Sequence, residues 1–353
     1  MSAAARGDNL AARREVRLGT AVALGFSRRS ARVVLALLAA LVVVAAASLA
    51  LGSLGISPAD ALAALRGEAD VTTTFALERL RGPRLLVGAG VGVALGLAGG
   101  LFQTVTRNPL GSPDVIGLSA GAGAGVAVAT LLVPGAVPAP VGAVAGAGAA
   151  IGLVWLATGT GFSSPARLIV TGIGVAAMAT AVTQYVVAVM LRDQGAELAV
   201  YVVGSLGSRD LGHVAQIWGA LLLLVPCVAL LGHRLAVTDM GDPLTDALGA
   251  RSNQTRTLAI VLSVLLAAAA VAVSGPITFV ALTAPHVARL LTRAPGPNLT
   301  VSGLTGAVLV VASDLVVQHV PALEGLPVGV VTAGLGGVYL GYLLTTGWKK
   351  TRA

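Results

Sequence analysis

Charge is what this sequence has least of. Only 11% of its 353 residues are Asp, Glu, Lys or Arg, against about a quarter in a soluble domain. So few charges cannot cover a water-facing globular surface, so the chain reads as integral to a membrane. Aromatic residues are also scarce, at 3%. Alternating short strands with polar faces are missing, which argues against an outer-membrane barrel. Cysteine occurs once, at Cys227 within an apolar run, so neither a disulfide nor a cysteine metal site is available. The four histidines, at 213, 233, 286 and 319, are scattered and give no ground for a metal cluster. No glycine loop followed by Lys-Ser or Lys-Thr occurs, so the chain does not hydrolyse ATP by that route. No catalytic triad or carboxylate pair stands out, and an enzyme is not expected. The net charge of +8 is not a nucleic-acid signal, because the basic residues sit in loops and tails between apolar stretches, where they set orientation.

What is abundant is apolar and small. Ala, Gly and Val dominate a composition that is 56% apolar, which suits helix backbones packed closely through small residues. Ten spans are read, at about 31–52, 83–106, 115–133, 139–158, 167–191, 215–232, 255–274, 275–291, 301–317 and 327–346. Spans seven and eight form one apolar stretch divided at Gly275-Pro276, so nine is the competing count. Charge decides between them. With ten spans and an inner N-terminus, Arg66, Arg79, Arg81, Arg84, Arg192 and Arg209 fall outside, and every other Lys and Arg of the 23 falls inside. Nine spans would put Lys349 and Lys350 outside. The expected organisation is an Arg-rich cytoplasmic tail over 1–30, a membrane domain over 31–346 and a cytoplasmic tail over 347–353. A signal peptide is disfavoured because the run from Val33 to Leu51 is too long for a signal core. Ser57-Pro58-Ala59-Asp60 begins a short capped helix on the outer surface.

The stretch from Arg81 to Asp114 organises the rest. Pro83 suits a first helical turn, and Asn108, before a proline, ends the helix. The roughly 25 residues between them span about 37 Å of helix, enough to cross a bilayer with tilt. Gly88, Gly92, Gly96 and Gly100 recur every fourth residue and carve a groove for another helix. The segment reads as packed scaffold rather than pore wall. Arg81 and Arg84, three apart at its outer start, suit either membrane anchoring or docking of an acidic outside partner.

Two further features carry chemistry. The inner loop reads Asp242-Pro243-Leu244-Thr245-Asp246-Ala247-Leu248-Gly249. Asp242 can cap a short helix, Pro243 fits its first position and Gly249 can end it. Leu244, Ala247 and Leu248 then share one face, for the lipid interface or for a cytoplasmic partner. Asp314 is the carboxylate set well inside an apolar span. Its place near the outer end of span nine favours a structural hydrogen bond or salt bridge over a proton relay.

These pieces resemble one family. Arg81-Gly82-Pro83-Arg84, Gln103 with Arg107-Asn108-Pro109-Leu110, Ser112-Pro113-Asp114-Val115-Ile116-Gly117 and Gly204-Ser205-Leu206 come in order. Then follow Gly241-Asp242 with Ala247-Leu248-Gly249, Gly275-Pro276-Ile277-Thr278-Phe279, Pro285-His286-Val287-Ala288-Arg289 and Leu326-Pro327-Val328-Gly329. Over about residues 33–346 the chain is similar to FecCD-like permease subunits of type II ABC importers for iron–siderophore complexes and cobalamin. The resemblance implies an all-α polytopic membrane protein with ten transmembrane helices. It also implies a second permease subunit, two copies of a cytoplasmic ATP-binding subunit carrying ATP and magnesium, and an extracytoplasmic siderophore-binding protein, in the bacterial cytoplasmic membrane with both termini inside. No cofactor is assigned to this chain itself.

The resemblance also assigns roles. Residues 241–249, with Asp242, Leu244, Ala247, Leu248 and Gly249, become the coupling helix seated in the ATPase. Arg81 and Arg84 become docking residues for the binding protein. A third family arginine falls four residues after the span-nine aspartate, where this chain has Gln318 with His319 beside it. That departure favours a pair of different permeases over two copies of one. Gly325 and Val338 are further departures around span ten. Span five, with Gln184, is expected to line an uncharged pathway that suits a large chelate, with an inner gate near Ser163 and Ser164. Ser112–Gly117 leans the cargo towards a catecholate chelate. Cobalamin or haem is the alternative cargo, and an ion-coupled secondary transporter is the alternative class, which would want carboxylates in mid-span.

Overall fold

The computed structural model describes residues 13–18, 22–51, 55–159, 165–190, 203–238, 245, 247, 251–294 and 296–351. Apart from an N-terminal hairpin of β1 (Arg13–Leu18) and β2 (Val22–Ser27), paired antiparallel, the described elements are helical. The hairpin occupies part of the stretch expected to be a plain tail. It precedes α1 (Arg28–Ala50), a long apolar helix with only Ser30 and Ser48 buried, as befits a helix at the lipid boundary. The connection after α1 holds α2 (Pro58–Arg66) and α3 (Val71–Phe75). In α2 the capping box forms in both directions: Asp60 N–H donates to Ser57 Oγ at 3.1 Å, and Ser57 N–H donates to Asp60 Oδ2 at 3.2 Å. Gly67 closes the helix in the left-handed region at φ 75°.

A π-type turn over Ala76–Arg81 leads into α4 (Gly82–Thr106). Then come a 3-10 turn (Pro113–Ile116), α5 (Leu118–Ala127) running into a π turn (Val128–Leu132), α6 (Ala139–Thr158), α7 (Pro165–Met190) and α8 (Leu211–Thr238). The last four are α9 (Ser252–Ser274), α10 (Val280–Thr292), α11 (Leu299–His319) and α12 (Val328–Thr351). Among the described residues seven helices are long and apolar enough to cross a membrane, and Leu118–Leu132 and Val328–Tyr342 are shorter apolar helices. With α10, these lie over the ten expected spans. The helix of α12 runs on through 347–351, where a tail was expected. The division at Gly275-Pro276 is real: α9 stops at Ser274, Gly275 has φ 72°, and α10 restarts after Phe279, itself at φ 67°. Gly325, at φ 82°, sits in the turn just before α12.

α4 is the axis. Eighteen of its 25 residues are buried, and it packs on α8, α9, α10 and α11. α5, α6 and α7 pack on one another, and α5 and α6 join the α4 group through α9. Glycine makes the α4–α11 contact close. A Cβ on Gly92 would fall on Gly306 O and within 2.6 Å of Ala307 Cα, and one on Gly96 would fall on Ser302 O. The backbones touch there, as a small-residue seam requires. At the ends of the ladder the neighbours are side chains, Leu206 Cδ1 at 3.0 Å from a Cβ on Gly88 and Leu299 Cδ2 at 2.8 Å from one on Gly100.

Candidate functional site

At the end of the bundle expected to face outward, α4 and α11 are joined by charge. Arg84 forks onto Asp314, with Nε 2.9 Å from Oδ2 and Nη2 2.7 Å from Oδ1. Gln318 Nε2 donates to the same Oδ2 at 2.7 Å. Asp314 is almost fully buried, its side chain 5% exposed against 28% for Arg84. A two-pronged guanidinium and an amide give each carboxylate oxygen at least one donor. Asp314 thus has the structural role its position suggested, and Gln318, one turn on, completes the network.

Arg81 lies beside this pair and does different work. Its Nη1 donates to Ser48 O at 3.1 Å, Leu49 O at 2.7 Å and Leu51 O at 2.6 Å. These are carbonyls at the end of α1, which its own ladder leaves open. Arg81 therefore ties the outer end of α1 to the start of α4. His319 Nδ1 lies 2.9 Å from Leu315 O of its own helix. All four residues expected at a docking surface lie at this one rim, and each is engaged within the chain.

The opposite end is built from α4's exit. Arg107 caps the helix at φ 49°. Asn108 Oδ1 accepts from Leu110 N–H at 2.9 Å, and Ser112 Oγ accepts from Asp114 N–H at 3.3 Å. Asp114 is bonded by the hydroxyls of Ser112 and Ser119. Burial pushes its carboxyl above the ordinary value, and these two hydroxyls pull the other way. Arg107 Nη2 reaches across to Thr238 O, at 2.9 Å, on the last turn of α8. Thr245, fully buried, donates to Val237 O at 3.1 Å on the same turn. Consecutive carbonyls of α8 thus hold the exit of α4 and Thr245, midway along the inner segment. Within that segment Thr245 and Ala247 are helical and Ala247 is exposed; Asp242, Leu244, Leu248 and Gly249 lie outside the described residues, as do Ser163 and Ser164. Gln184 is exposed on α7, beside exposed Val182 and Tyr185.

Residue patterns alone did not connect Gln103 with Arg289. Arg289 donates to Gln103 Oε1, and Gln103 Nε2 donates to Leu282 O at 3.0 Å, so buried Gln103 pins α4 to α10. Both residues stand in short motifs quoted above, and their joint polarity in apolar helices was the available signal.

Seven helices long and apolar enough to cross a membrane among the described residues make this a multi-pass membrane protein. The chain belongs to the FecCD transport family, which matches residues 38–346. It is 37% identical to the ferric enterobactin transport system permease protein FepG of Escherichia coli (strain K12), over 92% of this chain and 98% of that one. It is 36% identical to the achromobactin transport system permease protein CbrC of Dickeya dadantii (strain 3937), over 89% and 90%. The Fe(3+)-citrate import system permease protein YfmE of Bacillus subtilis (strain 168) is 33% identical over 90% and 96%. A solved metal-chelate type ABC transporter in an inward-facing conformation superposes with a TM-score of 0.79 at 25% identity, covering 90% of this chain and 99% of that one.

Proposed function

We propose that this chain is the membrane-spanning permease subunit of an ATP-driven importer that carries a ferric siderophore from an outside binding protein to the cytoplasm. The observation that carries this reading is the full-length similarity to permeases named for ferric enterobactin, achromobactin and Fe(3+)-citrate transport. A fold alone would not choose a cargo. The 37% identity to the enterobactin permease favours a catecholate chelate. ATP and magnesium are held by two copies of a partner ATPase, and this chain binds no cofactor. Both termini lie in the cytoplasm, and the partner permease is a different paralogue.

The coupling helix is residues 241–249. Its anchoring supports the role: Thr245 hangs on Val237 O, next to the Thr238 O that holds Arg107. A push on this helix would pass to α8 and to the inner end of α4 together. ATP binding can shift such an equilibrium only through contacts that differ between the two states, and this helix supplies them. The outer rim of Arg81, Arg84, Gln318 and His319 receives the binding protein. Arg84 is neutralised there by Asp314, so Arg81 supplies the rim's attraction for an acidic partner. Gln184 faces the pathway, with the inner gate at Ser163 and Ser164. Leu248→Glu is expected to abolish copurification of the ATPase while the membrane domain keeps its thermal transition. ATPase retained by this variant would return the segment to the lipid interface.

A further inference from the structure

Arginines gather where α1 begins and α10 ends, at the end of the bundle opposite the Arg84–Asp314 pair. There α1, packed on α11, also touches α10. Arg29 Nε donates to Leu291 O at 2.8 Å, one of the last four carbonyls of α10, which its own ladder leaves open. That bond fixes the start of α1 beside the end of α10. Arg293 follows two residues on, exposed at the C-cap. Arg28 and Arg32, four apart, share a face of α1 and are exposed. Arg32 Nε lies 3.4 Å from Arg28 O. Among the described residues no partner takes the end nitrogens of these four guanidinium groups. No carboxylate stands on α1, α10 or α12, and the one on α11, Asp314, is at its far end. The hairpin before α1 carries one acid, Glu15, against Arg13, Arg14 and Arg17.

Beyond the charges both helices turn apolar towards solvent or lipid. On α1, Leu35 continues the Arg28–Arg32 stripe, with Val42 two turns further, and both are exposed. On α10, exposed Leu290 stands three residues before Arg293, and Leu291 is exposed beside it. Guanidinium forks match phosphate oxygens, and four cations without a facing acid call for an anion. A soluble anion or a nucleic acid would use the charges alone. An amphiphile uses the arginines and the apolar stripes together, and anionic lipid is drawn to basic residues at a span's border. We propose that Arg28, Arg29, Arg32 and Arg293 form the headgroup site of an anionic phospholipid, whose acyl chains lie along Leu35, Leu290 and Leu291. The site is independent of the cargo and of the ATPase contact.

The test adds phosphatidylglycerol, phosphatidylcholine or inorganic phosphate to the purified full-length protein in a neutral detergent and follows the melting temperature, which a ligand of the folded state raises. Phosphatidylglycerol is expected to raise it, and the other two, at equal concentration, to leave it unchanged. The triple variant Arg28→Gln, Arg32→Gln, Arg293→Gln is expected to bind phosphatidylglycerol more weakly, by roughly fivefold per arginine removed. Arg29 is kept, because it clamps α10. Arg66→Gln with Arg79→Gln, exposed arginines from the opposite end, is expected to keep the wild-type affinity. An equal shift with phosphatidylcholine, an equal shift with inorganic phosphate, or an equal loss in both variants would overturn the site. Should the triple variant not fold, the wild type decides: its affinity for phosphatidylglycerol is expected to fall from low to high salt, and a salt-independent affinity would contradict the proposal.

Discussion

The Arg84–Asp314 pair shows how a buried charge is made tolerable. Asp314 is buried near the end of an apolar span, and its two oxygens take donors from Arg84 and Gln318. Removing one partner strands the other. Arg84→Ala is expected to destabilise the protein by about 3 kcal/mol, while Arg84→Met with Asp314→Leu restores most of that, since a packed apolar pair avoids desolvating two charges. Unfolding in mixed micelles measures both. Asp114 at the inner turn behaves in the opposite sense to a paired carboxylate. Burial holds its native pKa above the ordinary 3.8, so the folded state binds the proton more tightly than the unfolded one. That contribution is complete below the unfolded value and is lost as pH rises through the native one. Melting temperature is therefore expected to fall less steeply above about pH 4 in Asp114→Asn than in the wild type. Parallel pH curves would mean that Asp114 stays ionised in the fold.

At the scale of elements, α4 is held by its glycines. Gly96→Val would drive a side chain into the Ser302 backbone, with the Ser302 carbonyl carbon 2.8 Å from the first added atom. A loss of about 1–3 kcal/mol or more is expected. Gly148→Ala on α6, with nothing within 4 Å, should be neutral or slightly stabilising through helix propensity; comparison of the two thermal transitions checks the seam. Much of this was readable beforehand. The four-residue glycine spacing announced a groove, Ser57 with Asp60 announced a capped helix, and Gly275-Pro276 announced a break. What was not readable was who sits opposite. Gly99, off the ladder, presses on Ala281 O, and Arg84 finds Asp314 across 230 positions of sequence. Local pattern carries periodicity and caps, but long-range pairing depends on how the other helices close around α4. The N-terminal hairpin was missed for a related reason: an Arg-rich segment beside a membrane span reads as an orientation signal, and that reading gave no reason to look for strand pairing.

For the whole molecule, the internal braces divide the labour. Arg81 ties α1 to α4, Arg84 ties α4 to α11, Gln103 ties α4 to α10, and Arg107 ties α4's inner end to α8. One buried helix therefore links the rim of Arg81 and Arg84 with the segment proposed to couple to the ATPase, and a displacement at either end would pass through a packed body. The central claim is that this body transports an iron chelate on ATP energy. Its most direct test is uptake of a radio-iron siderophore into proteoliposomes holding this chain with its partner permease, ATPase and binding protein. Accumulation that requires ATP and is untouched by collapsing the ion gradients is the predicted result. Accumulation driven by a proton gradient without ATP would contradict it.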